Sequence, residues 1–108
     1  MSIHLDANEL FHKLNEAGSE WADLEAAANV LEDTRHAVLA RLMLASGAPS
    51  VAAKEMEARA SEDYEFHVRA TQDAKAKALK AKVKYESMKV WVDLRRTQSA
   101  NERALAKL

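Results

Sequence analysis

From Val51 to Leu108 the chain runs 58 residues without a glycine or a proline. The stretch is rich in Ala, Lys, Glu, Arg and Leu, the residues that cost least to hold in a helix. Nothing in it interrupts a helical backbone, so the sequence predicts one long helix over about 51–106. At ~1.5 Å per residue the full stretch would reach roughly 87 Å, far beyond the diameter of a globule this small. Helix propensity alone does not sustain such a rod in water, so it must lie against something along most of its length.

The first half of the chain supplies that surface. Asp6 suits an N-cap, with Glu9 three residues later completing a capping box. From there the apolar positions keep 4–3 spacing: Leu10, Leu14, Ala17, Trp21, Leu24, Ala28, Leu31, then Arg35, Val38, Leu42, Ala45. Ten of these eleven positions are apolar, which is the pattern of a coiled-coil seam. Arg35 is the exception and is expected to reach an acid on a partner helix. Gly18-Ser19 does not shift the heptad phase, so the sequence predicts a kink there or no break. The first helix is therefore expected over about 7–46.

Ser46-Gly47-Ala48-Pro49-Ser50 is the convincing turn. Gly47 suits the left-handed position after a helix, Pro49 cannot continue one, and Ser50 can cap the next. So short a connection, over 47–50, makes the two helices antiparallel neighbours. The expected architecture is an all-α, coiled-coil-like helical hairpin forming one domain. Ser61-Glu62-Asp63 reads as an internal N-cap with acids in its first turn, and marks where the second helix could break.

The second arm carries two apolar stripes. At 100° per residue, Ala74, Ala78, Ala81, Tyr85, Met88 and Val92 share one face, while Ala76, Leu79, Val83, Val90 and Leu94 lie nearly opposite. Two stripes call for two packing partners, and one chain with one other long helix supplies a single partner. The arms are also unequal: folded back from Gly47, the first arm should run out near residue 88. The overhang has its own heptad seam of Trp91, Leu94, Gln98, Asn101, Leu105 and Leu108. Left alone it would expose a tryptophan and three leucines. These six residues are the expected interface of a homo-oligomeric helical bundle, with Gln98 and Asn101 setting register at some cost in stability.

Charge is distributed as unevenly as length. The net charge is −1, yet residues 1–50 carry eight acids against three bases, and residues 51–108 carry thirteen bases against nine acids. Attraction between the arms explains this most simply. The basic residues Lys75, Lys77, Lys80, Lys82, Lys84, Lys89, Arg95 and Arg96, beside Tyr85 and Trp91, could also neutralise phosphates and stack a base, or meet an acidic protein. As plain helix-surface residues they need no ligand at all.

Other chemistries are poorly served. The four histidines (His4, His12, His36, His67) show no pairing at metal-ligand spacing. With two separated glycines there is no phosphate-cradling loop, and no nucleophile–base arrangement suggests itself. The chain has no cysteine, which fits a reducing cytoplasm. The N-terminus lacks the basic and apolar regions of a signal peptide. The most apolar window, residues 37–45, is too short to cross a bilayer and contains Arg41. The expectations are a cytoplasmic protein that is not an enzyme, with no cofactor, no metal, no membrane contact and no small-molecule substrate.

The segment from Ala81-Lys-Val-Lys-Tyr-Glu-Ser-Met-Lys89 through Leu94-Arg-Arg-Thr-Gln-Ser-Ala-Asn-Glu-Arg-Ala104 resembles the C-terminal part of small helical proteins of tailed bacteriophages. Such proteins often lie in replication or recombination regions. The resemblance covers about a quarter of the chain and carries over no functional residues. It implies an accessory protein of the host cytoplasm. Together the readings predict an oligomeric interaction protein acting as scaffold, adaptor or inhibitor of another protein. The alternative is a nucleic-acid-binding accessory protein of replication or recombination that uses the Lys-rich helix.

Overall fold

A computed structural model describes residues 7–108. It shows four helices: α1 (Ala7–Asp33), α2 (Arg35–Ala45), α3 (Val51–Arg59) and α4 (Glu62–Ala106). Helices α1 and α2 make the first arm, α3 and α4 the second, and the arms lie side by side in opposite directions. The radius of gyration is 23.5 Å and the extents are 84 × 21 × 19 Å. A compact domain of this length would have a radius of gyration near ~13 Å. The molecule is a rod, and the all-α hairpin read from the sequence is its architecture. The expected N-cap Asp6 and the histidine at position 4 lie outside the described residues.

Each arm is divided where the sequence predicts one helix. In the first arm the division is at Thr34. Its hydroxyl donates to the carbonyls of Val30 (2.9 Å) and Leu31 (3.1 Å), so the side chain competes for acceptors of the helical ladder. His67 of α4 also places Nε2 at 2.8 Å from the Leu31 carbonyl, and donates to it in the Nε2–H tautomer. A side chain inserted into the ladder is a recognised cause of a helix break. The backbone still passes through, with Thr34 N donating to Val30 O and Val38 N to Thr34 O. Gly18-Ser19, by contrast, does not interrupt α1.

In the second arm the division is at Ala60-Ser61. Ser61 caps α4, its hydroxyl accepting from Tyr64 N (3.2 Å) and donating to Ala58 O (2.6 Å). Glu62, Asp63 and Glu65 then place negative charge at the positive end of the helix dipole. Ser50 caps α3 by accepting from Ala53 N.

The turn differs from its expected form in one respect. No described glycine has positive φ, so Gly47 does not supply a left-handed cap. The chain instead leaves α2 in extended conformation at Ser46, with φ −76° and ψ 137°. The Ser46 hydroxyl accepts from Ala48 N and donates to Glu57 of α3, which ties the connection to the second arm. This extended exit carries the chain past the first turn of α3 before the arms pair, which shifts their register. Val92 is buried and the Phe11 ring lies under Arg96 at 5.9 Å. The first arm therefore covers α4 well past residue 88, and the overhang is shorter than the unequal arms suggested.

The core is thin and continuous. On α1 the heptad residues Leu10, Ala17 and Ala28 are buried, and Leu14, Trp21, Leu24 and Leu31 are half-buried. On α4 the facing positions also follow 4–3 spacing: Tyr64, His67, Thr71, Ala74, Ala78, Ala81, Tyr85, Met88 and Val92, all buried or half-buried. Small residues let the backbones approach. Large ones interleave, as where Trp21 meets Tyr85 with ring centroids 5.5 Å apart, a contact of ~0.5–1.5 kcal/mol beyond area burial. A Cβ on Gly18 would lie 3.2 Å from Tyr85 Cε2, so this glycine makes room for the tyrosine ring.

Past Thr34 the inward face moves by one residue, from the expected Val38 towards Leu39. Leu39, Ala58 and Tyr64 are buried together, with Leu42, Met43 and Val68 packed against them. Arg59, held by Glu55 at 2.9 Å, covers the Tyr64 ring at 5.9 Å. Arg35 finds its acid on its own arm, Glu32 at 3.7 Å, and not on a partner helix.

Candidate interaction surfaces

Helix α4 has two apolar sides with opposite fates. Its inner stripe is covered by the first arm. Its outer positions are not: Leu79, Val83, Val90 and Leu94 are all more than half exposed, Leu79 to 61%. The six seam residues of the C-terminal segment, which share Leu94 with that row, are also uncovered. Trp91 is 47% exposed and Leu105 68%, and Gln98 and Asn101 are exposed between them. Leu108 is fully exposed. A tryptophan and several aliphatic side chains in one row exceed the scattered apolar residues of an ordinary surface.

The same 3–4 spacing continues backward through Ser87 to Lys84, Lys80 and Lys77. One stripe of ten heptad positions thus begins basic and ends apolar. The heptad seam expected from the sequence covers only its last six positions.

The basic residues divide by partner. Lys75 Nζ is 3.0 Å from Glu32, and Lys84 Nζ is 3.6 Å from Glu20. These two pairs join the acidic arm to the basic one along opposite edges of the hairpin. The Lys75 ammonium, hydrogen-bonded to Glu32, holds that carboxyl below its ordinary range, with Arg35 and His36 adding to the effect against partial desolvation. Lys82 lies over the Trp21 ring at 5.9 Å, and Arg96 over Phe11 at the same distance. Lys77, Lys80, Lys89 and Arg95 make no ion pair among the described residues.

The surface has shallow grooves. One of about 350 Å³ is lined by Glu20, Leu24, Lys77, Lys80, Ala81 and Lys84. Another of about 360 Å³ lies beside the start of α1, over Leu10, Phe11 and Val92, with Arg95, Arg96 and Arg103 at its rim. Sequence reasoning missed this second groove, since it depends on the shifted register of the arms. No group of three or more His, Cys, Asp or Glu residues that could hold a metal is present among the described residues. No helix among them is long and apolar enough to cross a membrane.

Comparison with protein-family models, with curated proteins and with solved structures found no match.

Proposed function

We propose that this chain is a non-enzymatic helical interaction protein that associates with itself through the C-terminal part of α4 and serves as scaffold, adaptor or inhibitor of another protein. The uncovered stripe of Trp91, Leu94, Leu105 and Leu108 carries the reading. Covering one large apolar side chain contributes ~1.5–3 kcal/mol, and association entropy takes back much of the total. Four such residues on each copy leave enough to hold an oligomer. A phage-encoded protein of the host cytoplasm, as the sequence resemblance implies, suits this role.

Light scattering tests it. Trp91→Ala with Leu94→Ala should lower the measured mass while the helical circular-dichroism signal stays. Truncation after Lys89 should do so more completely. A wild-type chain that is monomeric at ~100 µM contradicts the reading, because the burial gain would then fail to exceed the association cost.

One observation favours a second reading, nucleic-acid binding: Lys77 and Lys80 line a groove and lack ion-pair partners among the described residues. Changing Lys77, Lys80, Lys82 and Lys84 to Gln should then abolish binding without loss of helicity. Wild-type affinity should fall by about one log–log unit per phosphate contacted as salt rises. Absence of any mobility shift with single- or double-stranded DNA or RNA at ~50 mM salt rejects this reading.

A further inference from the structure

We infer that two copies of α4 pair antiparallel over residues 91–108, with the two-fold axis passing between Gln98 and Asn101. The inference rests on the self-association reading and adds its geometry. The stripe narrows the choice, because its 3–4 spacing over residues 91–108 superimposes on itself in the in-register parallel pairing and in the antiparallel pairing whose facing residue numbers sum to 199. In the parallel one, each residue faces its own copy. In the antiparallel one, Trp91 faces Leu108 of the second copy, Leu94 faces Leu105, and Gln98 faces Asn101.

Charge decides between them. Arg95 and Glu102 flank the stripe on one side, seven residues apart, and neither has an ion-pair partner among the described residues. Flanking positions of this class meet their own kind across an antiparallel pair. Centring between Gln98 and Asn101 sets Arg95 beside Glu102 of the second copy, and symmetry repeats the pair. A parallel pair leaves both charges against Val90, Thr97 and Ala104. It also stacks Lys77, Lys80 and Lys84 against their own copies, which like-charge repulsion opposes. The antiparallel overlap keeps all three lysines outside it.

Steric fit agrees. The stripe lies about a quarter-turn from the face of α4 that the first arm covers, so a second α4 can lie along it without displacing α1.

Shape is the readout. Two rods of 84 Å overlapping by one 18-residue segment make a particle roughly 140 Å long. A parallel pair keeps the monomer's length. Small-angle scattering at a concentration where light scattering shows a dimer should give a maximum dimension of ~140 Å. Arg95→Glu and Glu102→Arg should each weaken the dimer about tenfold, and the double variant should regain wild-type association. A dimer no longer than about 90 Å, or a double variant weaker than either single one, overturns the antiparallel pairing and leaves self-association standing. A wild-type monomer in both measurements overturns both. Arg95 and Glu102 are exposed, so retained helicity shows that the variants still fold.

Discussion

The two ends of the rod are built differently. At the end nearest the turn, α2, α3 and the start of α4 meet around Leu39, Ala58 and Tyr64, and two serine caps and the Ser46–Glu57 bond fasten the connections. At the other end α4 runs on past the first arm, and every residue after Val92 is exposed. Both ends are helical, but helix is cheap for these residues and burial is not. The difference teaches that one sequence, with one helical period throughout, separates a part that closes on itself from a part that waits for a partner.

Substitutions should divide along that line. Tyr64→Ala removes the largest side chain of the buried cluster and should cost ~3–5 kcal/mol in urea unfolding. Leu105→Ala, at the other end, should change unfolding of the dilute protein by less than ~0.5 kcal/mol and act on association instead. Equal costs at the two sites would erase the contrast.

Midway along the rod, Gly18→Leu drives a side chain into the Tyr85 ring and should cost ~1–3 kcal/mol. Gly18→Ala should come out near neutral. The ~0.5–1 kcal/mol of helix propensity that alanine gains offsets a shift of Tyr85 by a few tenths of an ångström.

His67→Ala withdraws the donor from the Leu31 carbonyl beside the Thr34 break. It should cost ~1 kcal/mol, the usual net worth of one hydrogen bond, and leave oligomeric mass unchanged.

The smallest effect belongs to the pair between the arms. The Glu32 carboxyl is held below its ordinary range, so its contribution to stability is present above the unfolded-state value and fades as pH falls through the folded one. Glu32→Gln should lower the urea midpoint slightly at pH 7, and the gap to wild type should close as pH falls to 3.

Much of this was legible in the residues. The 4–3 spacing of Leu10 to Leu31 fixed the inward face of α1, and the opposed stripes of α4 gave the covered and uncovered sides. The serine caps at Ser50 and Ser61 stood in the sequence as well. Other features were not legible, for physical reasons. Beside the break at Thr34 the Leu31 carbonyl meets a histidine from 36 positions later in the chain, which no local pattern reveals. The inward face of α4 before Ala74 is Tyr64, His67 and Thr71, whose polar atoms disguise a core stripe. The register of the arms depends on a backbone that leaves α2 extended at Ser46, where Gly47 invited a left-handed turn.

Amide hydrogen exchange along α4 tests the central contrast most directly, compared at ~100 µM and ~100 nM protein, because protection that depends on association must follow mass action. The account predicts that protection over residues 64–88 is the same at both concentrations, while protection over 97–106 is present at the higher one and lost at the lower. Equal protection of the C-terminal segment at both concentrations, or loss of protection along the whole helix on dilution, would contradict it.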